Sequence, residues 1–125
     1  MDKSLTFAVR IAKLAQFLND SKQEFILSRQ IARSGTSIGA NIREAQFAQS
    51  DADFLSKLSI ALKEASETQY WLDVLLKAEY ITEKQYRSLR NDNDRLVGLL
   101  VKSITVKKTK LGVLVPVKDH KSYTA

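Results

Sequence analysis

The sequence predicts an all-α protein, an antiparallel up-down-up-down four-helix bundle. Three observations carry that prediction. Breakers are scarce: the chain has four glycines and a single proline, Pro116, so long stretches run without interruption. Apolar residues recur at spacings of three and four through most of the chain, which gathers them on one helical face. Turn and cap chemistry at Asn19-Asp20-Ser21, Ser50-Asp51 and Thr82 to Gln85 cuts the pattern into four.

The first helix is expected from Ser4, as N-cap, to Asn19. Leu5, Ala8, Ala12, Ala15 and Leu18 make one stripe, and Phe7, Ile11 and Leu14 a second beside it. So wide an apolar face suits a helix with more than one neighbour.

The second helix is expected from Glu24 to Gln49, with Ile31, Gly35, Ile38, Ile42 and Ala45 inward. Glycine in a helix interior costs about 1 kcal/mol against alanine. Gly35 and Gly39 therefore imply close approach of a neighbouring backbone. Beside the apolar row runs a polar one, Gln30, Arg33, Ser37, Asn41 and Glu44.

The third helix is expected from Asp51 to Ala78, behind a Ser50 cap and with acidic residues in its first turn. Phe54, Leu58, Ala61, Ala65, Thr68, Leu72 and Leu75 form its inward row. A capping box, Thr82 with Gln85, opens the fourth. Tyr86, Leu89, Asn93, Leu96, Leu100 and Ile104 point inward there, and the helix is expected to fray among Lys107, Lys108 and Lys110. The bundle should occupy residues 1–110 and a basic, flexible tail 111–125, whose LGVLVPV run either stays unpaired or docks on another surface.

If the second and third helices pack antiparallel about Ser50, facing numbers sum to about 100. Arg33 then meets Glu64 and Glu67, and Lys57 meets Glu44. Arg33, Ser37, Asn41, Glu44, Lys57, Glu64 and Glu67 thus read as a structural polar network that fixes register, with a ligand or RNA site as the competing reading of the row. Arg33→Ala should cost roughly 3–5 kcal/mol if the network is buried, and within about 1 kcal/mol if exposed.

Hydrophobic content of 44% with 27% charged residues suits a soluble globular domain rather than a disordered chain. No cysteine is present, so disulfides and thiolate metal sites are excluded. No apolar run approaches the ~20 residues of a membrane span, and MDKSLTFAVR lacks a signal-peptide pattern, so a cytoplasmic location is expected. The net charge of +6 is uneven. Residues 1–101 hold 14 Lys and Arg against 13 Asp and Glu, while residues 102–125 hold six lysines against Asp119 alone. Candidate nucleic-acid contacts are therefore Lys102, Lys107, Lys108 and Lys110, followed by Arg29 and Arg43.

Catalytic chemistry finds little support. The single histidine, His120, lies in the tail, so the Glu-x-x-His pairs of di-iron bundles are missing. Gly35-x-x-x-Gly39 lacks the lysine of a phosphate loop. Neither cofactor nor metal is expected.

QIARSGTSIGANIREA over 30–45, followed by SDADF, KLSIALKEASET and YWL over 50–72, resembles the four-helix-bundle proteins encoded in intervening sequences of bacterial 23S ribosomal RNA genes. The likeness covers roughly residues 3–108. Where that family commonly has Glu-Gly, this chain has Glu44-Ala45. The resemblance implies a homopentameric ring and a relation to retroelement accessory variability proteins, basic pentamers that bind reverse transcriptase and nucleic acid. It supplies no catalytic residue and no settled activity. The expected function is non-enzymatic: an oligomeric bundle that binds RNA or DNA through its basic residues. The alternative is a scaffold that binds another protein and no nucleic acid.

Overall fold

The computed structural model describes residues 2–112, and all their regular structure is helical. Four helices follow one another: α1 (Lys3–Lys22), α2 (Leu27–Gln46), α3 (Asp51–Lys77) and α4 (Glu83–Lys110). The expected tail conformation, His120 and the tail lysines beyond Lys110 lie outside the described residues.

Several boundaries differ from the sequence reading. Asp2, not Ser4, caps α1: its carboxylate accepts from the Ser4 backbone N–H at 2.9 Å and from the Ser4 hydroxyl at 2.7 Å. Ser4 lies inside the helix and is buried. The helix also runs through Asn19-Asp20-Ser21 and turns at Gln23, whose φ is 52°. α2 starts at Leu27 because Glu24 is not its first turn but its lid. The Glu24 carboxylate accepts from the backbone N–H groups of Ile26, Leu27 and Ser28 at 3.1, 3.0 and 2.8 Å. α2 ends at Gln46, three residues short of expectation, with Phe47 as its C-cap. α3 opens on Ser50 and α4 on the complete Thr82–Gln85 capping box. α4 keeps its helical bonding through Lys107, Lys108 and Lys110 instead of fraying.

One core joins all four helices, with Phe7, Ile11, Ile31, Ile38, Leu72 and Leu75 nearly free of solvent. On α1 Phe7, Ile11 and Leu14 of one stripe face this core together with Leu18 of the other, while Leu5 is 44% exposed. Full burial of one such side chain is worth about 1.5–3 kcal/mol, so these residues anchor α1.

The helix pairings have clear registers. Gly35 of α2 sits against Ile11 of α1, and Gly39 against Ser4. Thr68 of α3 donates to the Ser34 hydroxyl of α2 at 3.0 Å, both residues being fully buried. Asn93 of α4 reaches the Ala65 carbonyl of α3 at 3.0 Å. The strongest packing joins helices consecutive in the chain; α1 and α4 meet more thinly. Arg10 spans that seam, donating to Asp92 at 2.6 Å and to the Ser88 hydroxyl at 2.9 Å.

Candidate functional site

The candidate cations do not form one patch. Lys102, Lys107 and Lys110 recur along the last turns of α4 and, with Phe54, Ser103 and Val106, line one open groove of about 390 Å³. Lys107 is already engaged: its ammonium lies 2.6 Å from Asp51 and 5.4 Å from the Phe54 ring centre. A second groove, of about 400 Å³, meets the first at Phe54 and Lys107 and continues along Gln46, Ala48, Gln49 and Asp51. Lys108 is half-buried and lines neither.

Arg43 stands apart, in a groove between α1 and α2 that it shares with Asp2, Leu5 and Glu44. Arg29 lies near the start of α2, fourteen residues before Arg43, which is roughly 21 Å along the axis. One ligand contact does not naturally span Arg29 and the α4 lysines.

Within the polar row, only Arg33 crosses to α3. It pairs with Glu64 at 3.2 Å and also with Glu67. Its side chain is 48% exposed, which makes this a surface clamp. Ser37 instead donates to the Arg33 carbonyl at 2.6 Å, and Asn41 to the Ser37 carbonyl at 2.9 Å, both along their own helix. No ion pair joins Glu44 to Lys57 among the described residues; Glu44 faces the α1–α2 groove. The row is therefore not a continuous inter-helix network.

A second polar cluster links α3 to α4. The Tyr86 hydroxyl donates to Asp73 at 2.5 Å and accepts from Arg90 at 3.0 Å and from Gln69 at 3.1 Å. Burial and the Asp73 carboxylate push the Tyr86 pKa above 10.0, its ordinary value. A phenol held protonated in this way positions helices and offers no base.

Sequence reasoning missed Phe47, which is 80% exposed, and the Phe54–Lys107–Asp51 contact. A signal for Phe47 existed. It falls off the row Ile31, Gly35, Ile38, Ile42, Ala45, so the helical period points it away from the core. The Lys107 contact joins residues 56 apart in sequence and leaves no local trace.

Among the described residues, no group of His, Asp or Glu is placed to hold a metal ion, and no helix is long and apolar enough to cross a membrane.

A family model described as "23S rRNA-intervening sequence protein" matches residues 1–102. The chain is also similar to a solved structure from Bacteroides thetaiotaomicron VPI-5482, described as a protein with unknown function from the S23 ribosomal protein family. The two are 60% identical, with 82% of this chain and 95% of that chain covered and a TM-score of 0.82. No match is found among curated proteins.

Proposed function

Because the chain belongs to the family of 23S rRNA-intervening sequence proteins, we propose that it acts without catalysis, as an oligomeric helical scaffold that binds nucleic acid. The observation that carries this reading is the gathering of Lys102, Lys107 and Lys110 on one groove at the end of α4. Cations along a groove attract a phosphate backbone and release its counterions. The register of the pairings, Gly39 with Ser4 but Gly35 with Ile11, supports antiparallel neighbours in an up-down-up-down bundle. The family resemblance supports a ring of five, which would multiply the +6 of each chain and strengthen its field toward polyanions. We place the protein in the cytoplasm.

A filter-binding titration across salt concentrations tests the reading. Affinity should fall steeply with salt. Replacing Lys107, Lys108 and Lys110 by Gln should weaken binding for all sequences alike. It should also flatten the salt slope by up to about one unit for each lysine that had touched a phosphate. Light scattering should return a mass near five times 14.1 kDa; a monomer at micromolar concentration removes the ring.

A second reading, a protein-binding scaffold, is favoured by one other observation. Phe25 and Ile26, between α1 and α2, are 53% and 75% exposed. Absence of nucleic-acid binding at every salt concentration would leave that reading alone.

A further inference from the structure

We propose that residues 113–117, Val-Leu-Val-Pro-Val, fold back as a strap along α4 and cover the apolar side chains that α1 leaves bare there. The strap is independent of the nucleic-acid reading, and its test contains no nucleic acid.

The bare face comes from a difference in helix length. Arg10 meets Ser88 and Asp92, and Lys3, the first residue of α1, shares a groove with Arg95 and Leu96. α1 therefore stops beside Leu96. α4 runs on to Lys110, roughly 21 Å further. Ser88, Asp92 and Arg95 continue at spacings of three and four into Leu99, Ser103 and Val106, so all six share one side of the helix. The first three meet α1. Beyond it, Leu99 and Val106 are 47% and 43% exposed. Ser103 and Val106 line the open groove beside Phe54.

The occupant follows from where the chain goes next. At the end of α4 the Leu111 N–H donates to the Lys107 carbonyl at 3.1 Å, and the Gly112 N–H to that of Thr109 at 3.0 Å. Gly112 has a φ of 74°, a left-handed conformation that turns a chain off its helix. The five residues after it are apolar and uncharged. Pro116 has no N–H to donate and disfavours helix in the residue before it. Valine favours extended backbone. Five extended residues span about 16 Å. From Gly112 that reaches back past Val106 and Ser103 toward Leu99. The run thus matches the bare face in length and polarity, and it meets Lys102 and Lys110 without like-charge repulsion. A second copy competes poorly, because so short a tether holds the chain's own run at a millimolar effective concentration.

The chain has no cysteine, so an introduced pair holds its only thiols. Three extended residues carry position 115 about 10 Å from Gly112, and six helical residues set Val106 about 9 Å from it. Val106→Cys is therefore combined with Val115→Cys in the full chain. Under mild oxidation this pair should close a disulfide within one chain. Thr105→Cys with Val115→Cys is the control, since position 105 is rotated about 100° away. The first pair should close at least about tenfold faster than the control. Equal rates would overturn the strap. So would a disulfide between chains, seen as a doubled mass on a non-reducing denaturing gel, which would hand the face to a second copy. A second measurement needs no thiol. Val113→Ser, Val115→Ser and Val117→Ser together should lower the melting temperature by roughly 3–8 °C. An unchanged melting temperature would show that the run covers nothing, and the strap would fall.

Discussion

Gly35 and Ile11 touch so closely that a β-carbon at position 35 would lie 2.8 Å from Ile11 Cγ2 and 2.9 Å from Cγ1. The cost of glycine in mid-helix is thus offset by the closest approach of α2 to α1. Gly35→Ala gains about 1 kcal/mol of helix propensity but overpacks a buried contact at about 1–3 kcal/mol. Net destabilisation of up to about 2 kcal/mol is expected in urea unfolding. Gly98 is the internal control: a β-carbon there would meet nothing within 4 Å. Gly98→Ala should stabilise by about 1 kcal/mol, raising the melting temperature by roughly 3–5 °C.

Acid should loosen the start of α1 and of α2 first. Burial raises the Glu24 pKa, but three backbone N–H groups outweigh it and leave the carboxyl below 4.5, its ordinary value. The Ser4 hydroxyl bond does most to lower Asp2 below 3.8. An acid whose folded pKa lies below its unfolded one stabilises fully above the unfolded value. That contribution disappears as pH falls through the folded value. Urea midpoints should therefore hold above pH 4.5 and decline below it. Glu24→Gln should cost about 1 kcal/mol at neutral pH and flatten the acid decline. An unchanged slope below pH 4.5 would assign that decline to other carboxyls.

Arg33→Ala should be mild. Arg33 and Glu67 in the clamp are 48% and 38% exposed, and Glu64 is 17% exposed, so water screens most of the clamp and its loss should cost about 1 kcal/mol. The cost should shrink further in high salt. A loss of 3 kcal/mol or more in chemical denaturation would contradict an exposed clamp.

The hydroxyl pair between Ser34 and Thr68 should matter more. Thr68→Val leaves the Ser34 hydroxyl without its inter-helix partner in a dry site, at a cost of about 1–3 kcal/mol. Ser34→Ala combined with Thr68→Val should recover part of that loss. A double-mutant cycle with zero coupling would show that the two hydroxyls act independently.

Legibility in the sequence followed the range of the interactions. The Thr82–Gln85 box and the inward row of α3 are local, and both read correctly. α1 presented two adjacent apolar stripes, and periodicity alone does not say that Leu18 of the first would be buried while Leu5 of the same stripe would be exposed. Glu24 looked like a first-turn acid because a carboxylate bonding two to four residues ahead has the same spacing as one inside the helix. At the candidate site, composition singled out the lysines of α4, three of which line one groove. The Asp51 partner of Lys107 was hidden by distance along the chain.

The packing of each helix chiefly on its chain neighbour also bears on how the molecule forms. Contacts close in sequence need only short loops to be closed, and such topologies reach the native state in microseconds to milliseconds. The pairs α1–α2, α2–α3 and α3–α4 can each assemble early. The thin α1–α4 seam joins distant parts of the chain through Arg10 and Asp92, so it should close last. Arg10→Ala should accordingly speed unfolding while leaving the folding rate nearly unchanged, a φ-value near zero at that seam.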